Sequence, residues 1–183
     1  MKRIVLMILG VLAISTSAYS QTTAAINERA LAAAPGRARE GAAVIKWDSD
    51  YTYETLKEGT NWLFCYDRSG EPGRQPFAVQ CTSVGNLDRV AQNRRFEAES
   101  ENAEAMQAML DAAEADGTRV KPEYGSVWIS MNGPDQASAR IHTTIAVPGG
   151  TTESTGLPDT PRQNGAWIMD AGTTTAHIMT PGH

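Results

Sequence analysis

The chain has few of the patterns that announce a catalyst or a nucleic-acid binder. Its 183 residues hold two cysteines and three histidines. They contain no Cys-x-x-Cys, His-x-His or His-Glu-x-x-His spacing, so the compact metal-ligand patterns are missing. No Gly-x-Ser-x-Gly elbow occurs to expose a nucleophilic serine. The Gly149-Gly150 pair runs into a threonine-rich loop and not into a helix, which removes a phosphate-cradling glycine loop. Basic residues form no run, and 21 acids face 16 bases. That balance argues against nucleic acid and anionic membrane surfaces as partners. Neither an internal repeat nor a second hydrophobic core can be read from the pattern.

What is present begins with a secretory signature. Lys2 and Arg3 precede an apolar stretch from Ile4 to Ile14, followed by small polar residues to Ser20. The stretch is shorter than the roughly 20 apolar residues that span a bilayer. Ala18 and Ser20 suit a cut before Gln21, so residues 1–20 read as a signal peptide. The expected location is exported, periplasmic or secreted, with no membrane insertion after cleavage. Of the 16 basic residues, Lys2 and Arg3 leave with that segment, so 14 remain against 21 acids. Residues 21–40 read as an N-terminal arm or loose helix, and 41–183 as a single domain with its own core.

Cys65 and Cys81 are expected to form a disulfide, because paired cysteines at short spacing in an exported chain usually do. A thiolate metal pair is the alternative, but such sites generally space their cysteines two to four residues apart. A cysteine nucleophile would be lost on oxidation. The intervening loop carries Gly70, Pro72, Gly73 and Pro76 and is expected to hold little regular structure.

Strands are predicted at 42–48, 51–54 and 61–66, separated by turns at Asp48-Ser49-Asp50 and Lys57-Glu58-Gly59, which together suggest an antiparallel meander. Asn86 is a candidate cap for a helix carrying Leu87, Val90, Ala91 and Arg94 on one side. Ala103, Met106, Leu110 and Ala113 recur at helical spacing, and Gly117 is placed to end that helix. This methionine-containing stripe is expected to be core and not a metal or ligand surface. Further strands are predicted at 126–131, 139–147, 166–172 and 173–181. The fold class is therefore α+β: one domain, an antiparallel sheet of short strands covered on one face by one or two helices, with one disulfide.

Candidate chemistry centres on His142 and His177, each in the middle of a predicted strand. On neighbouring antiparallel strands they would stand within about 5 Å at Cβ if they were opposite. With Asp135 or Asp170 they would form a two-imidazole, one-carboxylate metal set. Ser138 with a histidine and an aspartate would supply the residue types of a hydrolase. His183, at the end of the chain, belongs to neither set. Trp47, Trp62, Trp128 and Trp167 fall in predicted strands and serve either as core or as a stacking platform.

Gly59-Thr60-Asn61-Trp62 leading to Cys65, Asp135 to Ser138, and Ala171-Gly172 with Ala176-His177-Ile178-Met179 resemble a group of exported bacterial proteins of about this length. Its recurring segments run GTNGW-C, GGSDAS and AGTPYAHLMIP. Here Asn61 meets Trp62 without the glycine, Asn132-Gly133-Pro134 replaces a more glycine-rich approach to Asp135, and Thr174-Thr175 stands in place of Pro-Tyr. No activity is established for the group, so the resemblance implies no reaction and no cofactor. It does direct attention to Asp135, Ser138, His142 and His177 as ligand-binding candidates. The expected function is a small-molecule-binding or interaction module. The alternatives are a hydrolase or metal-dependent enzyme using His142 and His177 with Asp135 or Asp170, and a structural envelope protein.

Overall fold

Branched and aromatic residues gather in short runs, and the runs join one sheet. The computed structural model describes residues 23–161 and 165–180; the predicted signal peptide and His183 lie outside the described residues. The strands are β1 (Ala43–Trp47), β2 (Tyr53–Lys57), β3 (Leu63–Asp67), β4 (Phe77–Ser83), β5 (Val127–Gly133), β6 (Arg140–Ala146), β7 (Trp167–Met169) and β8 (His177–Met179). They lie in the order β2-β1-β3-β4-β5-β6-β8-β7. The described helical segments are α1 (residues 23–30), α2 (Gly36–Arg39), α3 (Leu87–Glu99), α4 (Ala103–Ala115) and α5 (Thr152–Thr155). The α+β class holds, with a larger sheet than the sequence suggested.

Two expectations about the sheet are corrected. The first three strands are not a meander: β1 pairs antiparallel with β2 but parallel with β3. The crossover is made by Gly59-Thr60-Asn61. A Cβ on Gly59 would sit 2.5 Å from the Ala43 backbone nitrogen, so only glycine lets the chain pass so close. Thr60 N and Asn61 N both donate to Gly41 O, at 2.8 and 3.0 Å. Asn61 Nδ2 donates to Ala38 O and its Oδ1 accepts from Leu63 N, at 2.8 and 2.9 Å. This segment thus delivers β3 alongside β1.

The second correction concerns the loop closed by the cysteines. Cys65 and Cys81 form the disulfide, but they are direct partners on β3 and β4, with Cα atoms 4.0 Å apart. The irregular part shrinks to residues 68–76. Phe77–Ser83 is a central strand, buried at six of its seven positions. The loop is held by an ionic network: Arg68 pairs with Glu71 and Glu97, Arg74 with Glu97, and Arg94 with Glu71.

Side chains alternate across the strands, so the sheet has two distinct faces. One face packs Leu63, Cys65, Phe77, Val79, Cys81 and Ile129 against Ala32, Ala33 and Ala34. The segment read as an arm or loose helix is therefore seated, with Ala30 fully buried. Arg29 pins it, ion-pairing with Asp67 at 3.0 Å and donating to Pro76 O at 2.9 Å. The other face lies under α3 and α4, with Leu87 and Val90 packing on Ile45 and Tyr66. Asn86 stands at the start of α3 but makes no cap bond. It is fully buried and instead joins strands, donating to Thr82 Oγ1 at 3.0 Å and accepting from Ser126 Oγ at 2.9 Å. The cap of α4 is Asn102, whose side chain accepts from Ala105 N at 2.9 Å.

Candidate functional site

On the helix-covered face, polar residues line up in rungs. Tyr66, Gln80, Ser130 and His142 are consecutive partners across β3, β4, β5 and β6. Tyr66 donates its hydroxyl to Gln80 Oε1 at 3.0 Å, and burial pushes its phenol up to about 12, so it stays neutral. The next rung on this face runs Thr82, Trp128, Thr144, Met179. His177 pairs with Ala146 one rung further on.

Above these rungs the helices do not close fully on the sheet. A cleft of about 360 Å³ remains, within the range of small-molecule sites. Its floor includes Gln80, Trp128, Ser130, His142 and His177; Arg89 and Asn93 enter from α3, Met106 and Leu110 from α4, and Arg119 and Pro122 from the segment after α4. Arg89 and Asn93 share one side of α3, four residues apart. The methionine stripe is therefore not plain core: Met106 and Leu110 are half-buried and form an apolar wall of the cleft, while Ala113 alone in α4 is buried.

The two arginines are tightly held. Arg89 is 4 % exposed and Arg119 6 %. Arg89 donates Nη1 to Val120 O and Nη2 to Thr175 Oγ1, the latter at 3.1 Å. Arg119 donates to Gln92 Oε1 and Asn93 Oδ1, and its guanidinium lies 5.8 Å from the centre of the Phe96 ring. Gln92 fastens the same segment, accepting from Val120 N at 3.0 Å and donating to Thr118 O at 2.9 Å. Burial lowers the pKa of both arginines; for Arg119 the nearby Arg89 charge adds to it, bringing it to about 10. Both stay charged at neutral pH.

The residues singled out from the sequence fall into two groups. His142 and His177 both line the cleft, but they do not face each other. His142 is opposite Ser130 and His177 opposite Ala146, four positions along β6 from His142, or about 13 Å at strand rise. His177 Nδ1 contacts Thr175 O at 2.8 Å and lies 3.8 Å from Asp170 Oδ2. His142 Nε2 is buried without a hydrogen-bond partner. Ser130 and His142 share a rung, yet no hydrogen bond joins them among the described residues. No group of three or more His, Cys, Asp or Glu side chains among the described residues could hold a metal ion.

Asp135 and Ser138 belong elsewhere. They form the β5–β6 turn, where Asp135 Oδ1 accepts from Ser138 N and Oγ at 2.9 and 2.8 Å. These bonds hold the exposed Asp135 carboxyl below its usual range. Asp135 borders a second, more open hollow with Arg29, Asp67 and Phe77, on the far side of the sheet. The tryptophans also divide: Trp128 lines the cleft, Trp167 stands opposite Met179 at the far end of the same rung and outside the cleft lining, Trp47 packs edge-on against Tyr53 and Tyr66, and Trp62 precedes β3 and is half-exposed. They form no common platform.

Sequence reasoning missed Arg89, Asn93 and Arg119. Arg89 lies in a polar helix, and nothing in the local sequence marks it as buried. Its burial comes from Val120 and Thr175, 31 and 86 residues away in the chain. Thr175 accepts from Arg89, while Thr174 N and Oγ1 donate to Glu114. No protein-family model matches the chain, and no curated protein or solved structure does.

Proposed function

We propose that the protein is an exported binding module that takes a small organic molecule in the cleft between the sheet and α3–α4. The observation that carries this reading is the cleft itself: polar side chains from four strands, from α3 and from the segment after α4 converge on it beside an apolar wall. Export draws on the N-terminal signature and on the disulfide. No helix among the described residues is long and apolar enough to cross a membrane. A purely structural envelope role gives no reason for such a space.

One observation favours acid–base chemistry as a second reading. The Thr175 carbonyl fixes the Nδ1 side of His177, with Asp170 3.8 Å away, which leaves Nε2 as the proton-accepting nitrogen. Native mass spectrometry of the protein isolated from the periplasm, set beside a denatured sample, tests the binding reading. An added organic mass that Ser130→Trp abolishes is expected. A bare mass, with no thermal shift across a small-molecule library, would overturn it. Hydrolysis of ester or phosphoester substrates that is lost in His177→Gln would place the second reading first.

A further inference from the structure

The chain as a whole is acidic, with a formal net charge of −5, yet the walls of its cleft reverse that sign. Among the cleft-lining residues there are two arginines and no Asp or Glu. Among the described residues, neither arginine makes an ion pair. The acids that act on them lie outside the cleft lining. Glu114 is close enough to influence both arginines and Asp170 to influence Arg89, but Glu114 is committed to Thr174 and Asp170 lies beside His177. Buried charges are ordinarily paired. Two buried guanidiniums without an ion-paired carboxylate therefore require an explanation, and a purely structural arginine pair would be costly to keep.

Hydrogen-bond accounting points the same way. A guanidinium carries five N–H donors. Arg89 commits two of them, and so does Arg119. Arg119 Nε is buried with no partner, as is His142 Nε2 on the cleft floor. Buried groups without partners are rare in folded proteins and call for a ligand, a water or a functional reason. Arg89 bonds the carbonyl of Val120, the residue after Arg119, and both arginines line the same cleft, close enough for the Arg89 charge to act on Arg119. Such a pair is suited to fork-like recognition of a planar or tetrahedral oxyanion. Met106, Leu110 and Trp128 supply the apolar surface beside it.

We infer that the ligand is a small organic anion: a carboxylate or phosphate group held by Arg89 and Arg119, with an apolar body lying on Met106, Leu110 and Trp128. This rests on the reading of the cleft as a binding site and specifies its chemistry. The anion discharges the buried positive charge, and the apolar wall selects against the bare inorganic ion.

Isothermal titration of the mature, disulfide-bonded protein with hexanoate, hexyl phosphate, inorganic phosphate and 1-hexanol tests it. The organic anions are expected to bind at least tenfold more tightly than 1-hexanol and than inorganic phosphate. Hydrogen bonds to charged groups are worth enough that Arg119→Gln should weaken the anions about ten- to a hundredfold and leave 1-hexanol within about twofold. Hexanoate ahead of hexyl phosphate would name a carboxylate, and the reverse a phosphate. Equal affinity for 1-hexanol and the anions in the wild type would overturn the charge assignment and leave the binding module standing. A neutral ligand from the library with no anion response would do the same. If Arg119→Gln does not fold, the selectivity between anion and alcohol in the wild type decides alone.

Discussion

The disulfide face and the helix face of the sheet are presented by the same strands, one residue apart, and they are built for opposite purposes. On the disulfide face Leu63, Cys65, Val79, Cys81 and Ile129 are buried against a row of alanines. Nothing there needs a polar partner, and small Ala32 to Ala34 let the chain lie flat on the strands. On the helix face the intervening residues are Tyr66, Gln80, Ser130 and His142. Those side chains need hydrogen bonds, and α3 and the segment after α4 bring arginines where more apolar cover would have closed the core. The larger apolar cluster lies on one side, and the other carries a smaller one beside an incompletely satisfied, charged cleft. Such a division fits the general trade-off between stability and function.

The largest expected difference between the faces is in their response to truncation. Leu63 is fully buried on the disulfide face, so Leu63→Ala should cost about 3 kcal/mol, inside the usual range of about 2–5 for such a change. Leu110 is apolar and helical too, but it borders the cleft and is only half-buried. Leu110→Ala should cost about 1 kcal/mol in urea unfolding, because its neighbours on the cleft side are already missing. Its larger effect should fall on the affinity for an organic anion. Equal destabilisation by the two substitutions would show that the helix face is a sealed core and that the cleft is closed in solution.

The same contrast explains what could be read from the sequence. Strand alternation, the helix of Ala103 to Ala115 and the cysteine pairing follow from local patterns, and the structure keeps them. Strand β4 was not legible, because Pro72, Pro76 and the neighbouring glycines mark a loop and hide Phe77–Ser83 behind it. The parallel pairing of β1 with β3 was hidden as well. It depends on the Gly59 backbone passing Ala43, a contact between residues 16 apart in the chain. At the cleft, His142 and His177 could be found because a histidine in a strand stands out. Arg89 and Arg119 could not, since a sequence does not show whether an arginine on a polar helix or in a loop is buried. Asp135 and Ser138 looked like chemistry because a short acid–hydroxyl spacing serves turns as readily as sites.

A second, smaller difference should appear in acid. Arg68, Arg74, Glu71 and Glu97 tie the 68–76 loop to α3. Burial pulls the Glu97 carboxyl upward, but hydrogen bonds and charge from Arg68 and Arg74 outweigh it and hold it below its usual range. A carboxyl with a lower pKa folded than unfolded stabilises fully above the unfolded value, near 4.3, and loses that contribution as pH falls through the folded value. Stability should therefore drop with acid below about pH 5, and Glu97→Gln should flatten that part of the curve. Anion binding at neutral pH should change little, because this network does not line the cleft. A loss of binding in parallel with stability would show that the loop and the cleft act as one unit.

The smallest effect is expected where the sequence drew most attention. Asp135 is exposed, and its carboxylate serves the backbone and hydroxyl of Ser138 within one turn. Asparagine can keep an oxygen acceptor at that position, so Asp135→Asn should leave thermal stability almost unchanged at neutral pH. Because the folded carboxyl titrates below its usual range, the wild type should hold a slight advantage above pH 4 or so that vanishes on acidification. Neither Asp135→Asn nor Ser138→Ala should alter hexanoate or hexyl phosphate affinity, since both residues sit at the β5–β6 turn outside the cleft. If Asp135→Asn weakened anion binding as much as Arg119→Gln, the division between a turn and a site would fail. His142, two residues into β6 from that turn, would then be the side chain through which the turn reaches the ligand.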